Sequence, residues 1–223
     1  MVARNPLLRT ELRIVARKGA LPQIHACGGL SARRTGADTV HLIGTAATPL
    51  GGDELDIAII VGAGARLTVR SVAATIALPS AATPDSLAHW HFELDTGAEL
   101  DFDPEPTIIA GGARHRAITT VRLALDSRLR LRERVQIGRV GEDSGGWRGE
   151  LTADVGELPL LRHRLELGYG TTVDDALTAP RALASELVYP DDRASWTDGL
   201  RASRLPLAGG GSLSTWVGAA LGE

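Results

Sequence analysis

A single cysteine, Cys27, excludes an internal disulfide framework and a cysteine-rich metal site built by this chain alone. Lysine is as scarce: Lys18 is the only one among 24 basic residues, so arginine carries the positive charge. Against 27 acidic residues the net charge is −3, which removes the global basic excess of a typical nucleic-acid binder. Aromatic residues make up only 4% of the sequence, so a core must be built from Leu, Val, Ile and Ala. No stretch approaches the roughly 18–20 apolar residues of a membrane-spanning helix. The opening MVARNPLLRTELRI also lacks the apolar centre of a signal peptide. A soluble, cytoplasmic protein is the expectation. No G-x-x-x-x-G-K-[ST] phosphate loop and no G-x-S-x-G nucleophile elbow occurs.

What the chain does have is alternation. ELDIAIIV (54–61) places Leu55, Ile57, Ile59 and Val61 on one face, and ARLTVRSVA (65–73) opposes Leu67 and Val69 to Arg66, Thr68 and Arg70. AHWHFEL (88–94) separates Trp90, Phe92 and Leu94 from His89, His91 and Glu93. RLRLRERVQI (128–137) is the clearest case, with Arg128, Arg130, Arg132 and Arg134 on one side and Leu129, Leu131, Val135 and Ile137 on the other. Period two over that length is a half-buried strand. Turn signals recur at PLGGD (49–53), TGAE (96–99), DPEP (103–106), AGGAR (110–114) and SGGW (144–147), and GAGA (62–65) reads as a hairpin turn. Helical pattern is confined to the C-terminal part. Pro180 before RALASELV fits a proline in a first helical turn, and Ser212 before LSTWVGAAL fits an N-cap. The stretch 199–211 reads as a loop with a short strand near Leu205. No dividing linker and no fixed-period repeat is visible, so one domain over 1–223 is expected. It is mainly β, with a dozen or more strands and one or two helices near the C-terminus. Alternation alone leaves a sandwich, a barrel and a stacked-sheet or β-helical arrangement open.

Four features bear on chemistry. GRVGED (138–143) follows a strand but lacks the lysine of a phosphate loop, and reads as a turn in which Arg139 and Glu142 pair locally. His89 and His91 project from one strand face with Glu93 beyond them, a spacing that suits either a metal site or a polar solvent-facing stripe. The arginine stripe needs acidic residues on a neighbouring strand, an acidic partner, or water around it. Glu133 falls on the apolar side of that same strand. A carboxylate there needs a partner or a wet channel, because unpaired burial is unfavourable.

PLGGDELDIAIIVGAGARLTVRSVAATIAL (49–78) resembles the UreD (UreH) family of urease accessory proteins through Gly51-Gly52-Asp53, Gly64-Ala65 and Ala73-Ala74-Thr75. ELDFDPEPTIIAGGARHR (99–116) looks like the family's Leu-x-x-x-Pro-x-x-x-Ile run followed by an arginine, here Arg114. Gly138, Arg139, Gly141 and Glu142 match its Gly-Arg-x-x-Gly-Glu segment. The chain departs from the pattern at Val69-Arg70-Ser71, Ile76-Ala77-Leu78 and Pro106. The resemblance implies a β-helical stack of sheets and a non-enzymatic maturation factor. Such a factor binds urease apoprotein and a UreF-type helical partner, which recruits a UreG-type GTPase carrying nickel. No tightly bound cofactor is implied, only nickel in transit through a polar interior. On this reading Asp53, Arg114, Glu133, Arg139 and Glu142 are the candidate partner-binding or route residues. The alternative is a small metal-dependent enzyme using the His89/His91 face.

Overall fold

The structure, a computed structural model, describes residues 9–168, 170–171 and 179–222. Strands β1 (Arg9–Ala16) and β2 (Gln23–Cys27) form a hairpin in a first sheet, and β3 (Leu30–Arg34) and β4 (Thr39–Gly44) form one in a second. The chain then winds between the sheets. β5 (Glu54–Val61) lies in the first sheet, β6 (Arg66–Ser71) and β7 (Thr75–Ala77) in the second, and β8 (Asp85–Leu94) in the first. β9 (Glu99–Phe102) and β10 (Thr107–Ile109) return to the second, followed by β11 (Arg114–Leu123) in the first, β12 (Arg128–Ile137) in the second and β13 (Gly146–Val155) in the first. β14 (Leu158–Gly168) turns back beside β13. β15 (Ala182–Tyr189), β16 (Trp196–Asp198), β17 (Ala202–Pro206) and β18 (Ser212–Gly218) complete the second sheet.

The sheet orders are β14-β13-β11-β8-β5-β1-β2 and β16-β17-β18-β15-β12-β9-β6-β4-β3. Within them β1, β5, β8, β11 and β13 run parallel, as do β4, β6, β9 and β12. This is a two-sheet β-solenoid. One expectation is thereby corrected. GAGA (62–65) is a corner from one sheet to the other and not a hairpin turn, because the apolar faces of β5 and β6 both have to point into the space between the sheets. A structural repeat is also present. Glu54, Asp85, Arg114 and Gly146 open successive coils 31, 29 and 32 residues apart, each leaving its apolar face for its neighbours to cover.

The two ends of the solenoid differ. At one end the corners 62–65, 95–98 and 124–127 stack on each other. Gly64 N–H donates to the Thr96 carbonyl at 2.8 Å, Glu99 N–H to Ala65 at 2.9 Å and Arg128 N–H to Ala98 at 2.8 Å. At the other end, here the rim, the longer segments 45–53, 78–84 and 138–145 and the short turn 110–113 come together.

No helix occurs among the described residues, so none there is long and apolar enough to cross a membrane. Both C-terminal helices expected from sequence are strands. ALASELVY satisfies a helical spacing, but it also alternates, with Leu183, Ser185, Leu187 and Tyr189 inward. The neighbours β12 and β18 pair with it on both sides and satisfy its backbone groups, which a lone helix would not have offered them. Ser212, expected as an N-cap, instead opens β18 and donates its hydroxyl to Asp191.

The apolar interior is in two pieces. The larger lies toward the stacked corners and includes Phe92, Leu100, Phe102, Val121, Leu129 and Leu187, with the Phe92 and Phe102 rings edge-on at 5.0 Å. The smaller lies toward the rim and includes Ile109, Val135, Ile137, Trp147, Leu167 and Leu183. Between the two pieces the inward residues include Glu133 on β12, Ser185 on β15, Gly149 and Leu151 on β13, and His115, Ala117 and Thr119 on β11.

Candidate functional site

Glu133 occupies the break in the core. Its position follows from the β12 alternation, in which Leu131 and Val135 flank it on the inward face. A cavity of about 390 Å³ lies against it, with Trp90, Thr107, His115 and Trp147 among its walls. A smaller space of about 70 Å³ shares Trp90, Thr107 and Glu133 with that cavity and extends to Thr119 and Ser185. Among the described residues the Glu133 carboxyl has no hydrogen-bond or ion-pair partner, yet neither oxygen is sealed from space that water can enter. The residue is half-buried and keeps accessible surface toward the cavity. Burial raises its pKa from 4.5 to about 7, so near neutrality the group exchanges a proton readily.

The other sequence-derived candidates lie at the rim, and each is engaged within the chain. Asp53 is buried and accepts hydrogen bonds from Thr48 Oγ1 and Leu50 N–H, both at 2.8 Å, which closes the turn before β5. Arg114 donates from Nε and Nη2 to the two oxygens of Asp85, at 2.7 Å each, and these bonds hold the Asp85 carboxyl below its usual range. Glu142 accepts from Gly111 N–H at 2.7 Å and from Arg139 N–H at 3.1 Å, and it pairs with the Arg139 guanidinium. The guanidinium contributes most to lowering the Glu142 pKa from 4.5 to about 2, followed by the two backbone N–H groups. Gly138 has φ +80°, and a Cβ there would run into the Glu142 carbonyl, so glycine is needed to start this turn. GRVGED is therefore a turn braced by its own Arg and Glu, which also ties it to 110–113.

Three arginines of the stripe, Arg130, Arg132 and Arg134, are neutralised by carboxylates on β9, on β15 and just past β9. Arg130 reaches Asp101 at 3.1 Å and Glu186 at 3.0 Å, Arg132 reaches Asp103 at 3.3 Å, and Arg134 reaches Asp103 at 3.0 Å. His89 and His91 stack with ring centroids 6.2 Å apart on the outer face of the first sheet. No group of three or more His, Cys, Asp and Glu residues able to hold a metal ion forms among the described residues.

His115 is not among the candidates drawn from the sequence. The alternation of RHRA, with Arg114 and Arg116 exposed and His115 and Ala117 buried, was the signal that it faces inward. Its Nδ1 lies 2.9 Å from the Ser86 hydroxyl, itself buried on β8. Burial lowers the His115 pKa to about 4, leaving a neutral imidazole at physiological pH. The interior thus presents one imidazole and one carboxyl, carried on opposite sheets along one cavity.

Fold and interior define an all-β solenoid protein with a largely apolar inter-sheet cavity that Glu133 and His115 line. The family model described as UreD urease accessory protein matches residues 13–217. Urease accessory protein UreD 1 of Saccharopolyspora erythraea is 39% identical over 194 residues, covering 86% of this chain and 76% of the relative. The Urease accessory protein UreD of Frankia alni is 39% identical over 239 aligned positions, covering 92% and 79%, and that of Streptomyces coelicolor is 34% identical over 228, covering 94% and 90%. The chain belongs to the UreD urease accessory protein family, and its role is in urease maturation.

Proposed function

We propose that this protein is a non-catalytic urease maturation factor of the cytoplasm. It binds urease apoprotein and a UreF-type helical partner, and it helps pass nickel from a UreG-type GTPase into the urease active site. The observation that carries this reading is the unpartnered Glu133 carboxyl in the break between the two core clusters. A fold selected for stability alone would place an aliphatic side chain between Leu131 and Val135. A carboxyl with a pKa near 7 and no fixed partner attracts a hydrated divalent ion and releases it again, because one protein ligand makes a weak site. The rim residues Asp53, Arg114, Arg139 and Glu142 are assigned to holding the shape of the rim, where partners dock.

The test is urease activation in cells that hold the urease subunits, the other accessory proteins and nickel. Active urease should disappear when this chain is omitted. With the chain present, Glu133→Gln should lower activation at limiting nickel. The paired change Arg139→Gln with Glu142→Gln should lower activation while leaving soluble protein. Full activation without this chain would sink the maturation role, and full activation with Glu133→Gln would remove the carboxyl from the route.

A further inference from the structure

At the rim end of the first sheet a groove of about 670 Å³ has Asp53, Asp85, Ser86, Arg114, His115 and Trp147 among its walls. His115 and Trp147 also line the inter-sheet cavity that reaches Glu133. His115 therefore stands in the partition between an outer groove and the interior. Its ring is fixed on one side only, through Nδ1 and Ser86 Oγ. Its Nε2 has no hydrogen-bond partner among the described residues and is not sealed within protein, so this nitrogen borders water-accessible space. A buried imidazole with one nitrogen held by a hydroxyl and the other open to water has the arrangement of a metal-ligating histidine and its outer support.

We propose that His115 is a ligand station for a borderline divalent cation moving between the rim groove and the inter-sheet cavity, with Ser86 as its positioning residue. This rests on the reading of the interior as a cation route, and it adds the imidazole through which the ion must pass. Ser86 Oγ accepts the Nδ1 proton, which leaves the Nε2 lone pair for the ion. The remaining coordination positions are water, so the ion exchanges rather than stays. Within the cavity Glu133, on the opposite sheet, is the next protein donor along the path. A cation can enter beside Arg114 and Arg148 because both are covered by carboxylates, Asp85 for the first and Glu150 for the second.

The experiment is a titration of the full-length ¹⁵N-labelled chain with Ni²⁺, following the side-chain resonances of His115 and the amides of Thr119 and Ser185 beside Glu133. The His115 signals, assigned by their absence in His115→Phe, should broaden together with those two amides. Before nickel is added, the His115 nitrogens should show the tautomer protonated at Nδ1. Ser86→Ala should mix the tautomers and raise the nickel concentration for half-broadening about 10-fold, the lower end of the effect of losing a metal ligand's outer support. Ser86→Thr should restore both. Sharp His115 signals with broadened Thr119 and Ser185 would overturn the station while leaving the cation route standing. Sharp signals at all three would overturn the route as well. An unchanged tautomer and unchanged nickel response in Ser86→Ala would remove Ser86 from the proposal.

Discussion

Replacing Glu133 with Gln should stabilise the protein, and only above the pH at which the unfolded Glu133 ionises. The carboxyl titrates near 4.5 when unfolded and at about 7 when folded. Between those values the folded chain keeps a proton that the unfolded chain has released, so stability falls as pH rises through this window. Each pKa unit corresponds to about 1.4 kcal/mol, so the ionised carboxyl destabilises the fold by about 3 kcal/mol once pH exceeds 7. Gln carries no ionisation. Urea unfolding, followed by tryptophan fluorescence, should show the gain from Glu133→Gln growing by about 2–3 kcal/mol between pH 5 and pH 8. Measuring variant against parent at each pH cancels titrations the two share. Equal differences at the two pH values would refute the claim that this carboxyl is unpartnered and desolvated by burial. A stabilised variant that activates urease poorly would set stability against function at one side chain.

Other perturbations test the rim, the core and the stripe. Glu142→Gln should lower the melting temperature at pH 7 and speed hydrogen exchange at Gly111. The carboxyl is depressed to about 2, so its contribution is full above about 4.5 and lost as pH falls through the folded value; the difference should shrink over that range. Equal melting temperatures at pH 7 would mean the brace is idle. Gly149→Ala would push a Cβ into the buried Trp147 ring, for a loss of about 1–3 kcal/mol by thermal unfolding; no change would place the ring elsewhere. Asp103→Asn withdraws the carboxylate that faces Arg130, Arg132 and Arg134, for a loss of about 2 kcal/mol that added salt should diminish. A salt-independent loss would point to packing instead.

Much of the architecture was legible because it rests on period two. The inward faces of β5, β8 and β12 were read residue by residue, and the acidic cover over the arginine stripe was one of the options foreseen. What alternation could not show was which strands pair. GAGA supplies the same glycine to a hairpin as to a sheet-to-sheet corner, and only burial of both flanking apolar faces decides between them. The coil repeat was hidden because it is one of shape: its corners share backbone bonds rather than a motif. ALASELVY went astray because eight residues with apolar side chains at several spacings fit either period, and the partners β12 and β18 decided the outcome. Glu133 was found because a charge interrupted an apolar face. His115 was not, because imidazole beside arginines looks like one more polar residue until the alternation is followed through.

The unequal ends of the solenoid bear on how such a chain can vary. The corners 62–65, 95–98 and 124–127 all have four residues, and each is bonded to the next through its backbone. One residue added to a single corner would break that ladder and shift the following strand to the wrong face. The rim segments 45–53, 78–84, 110–113 and 138–145 already differ in length, so insertions and deletions there leave the strand register intact. Length changes should therefore gather at the rim, leaving the opposite end uniform and making the rim the surface most readily refitted to a new partner.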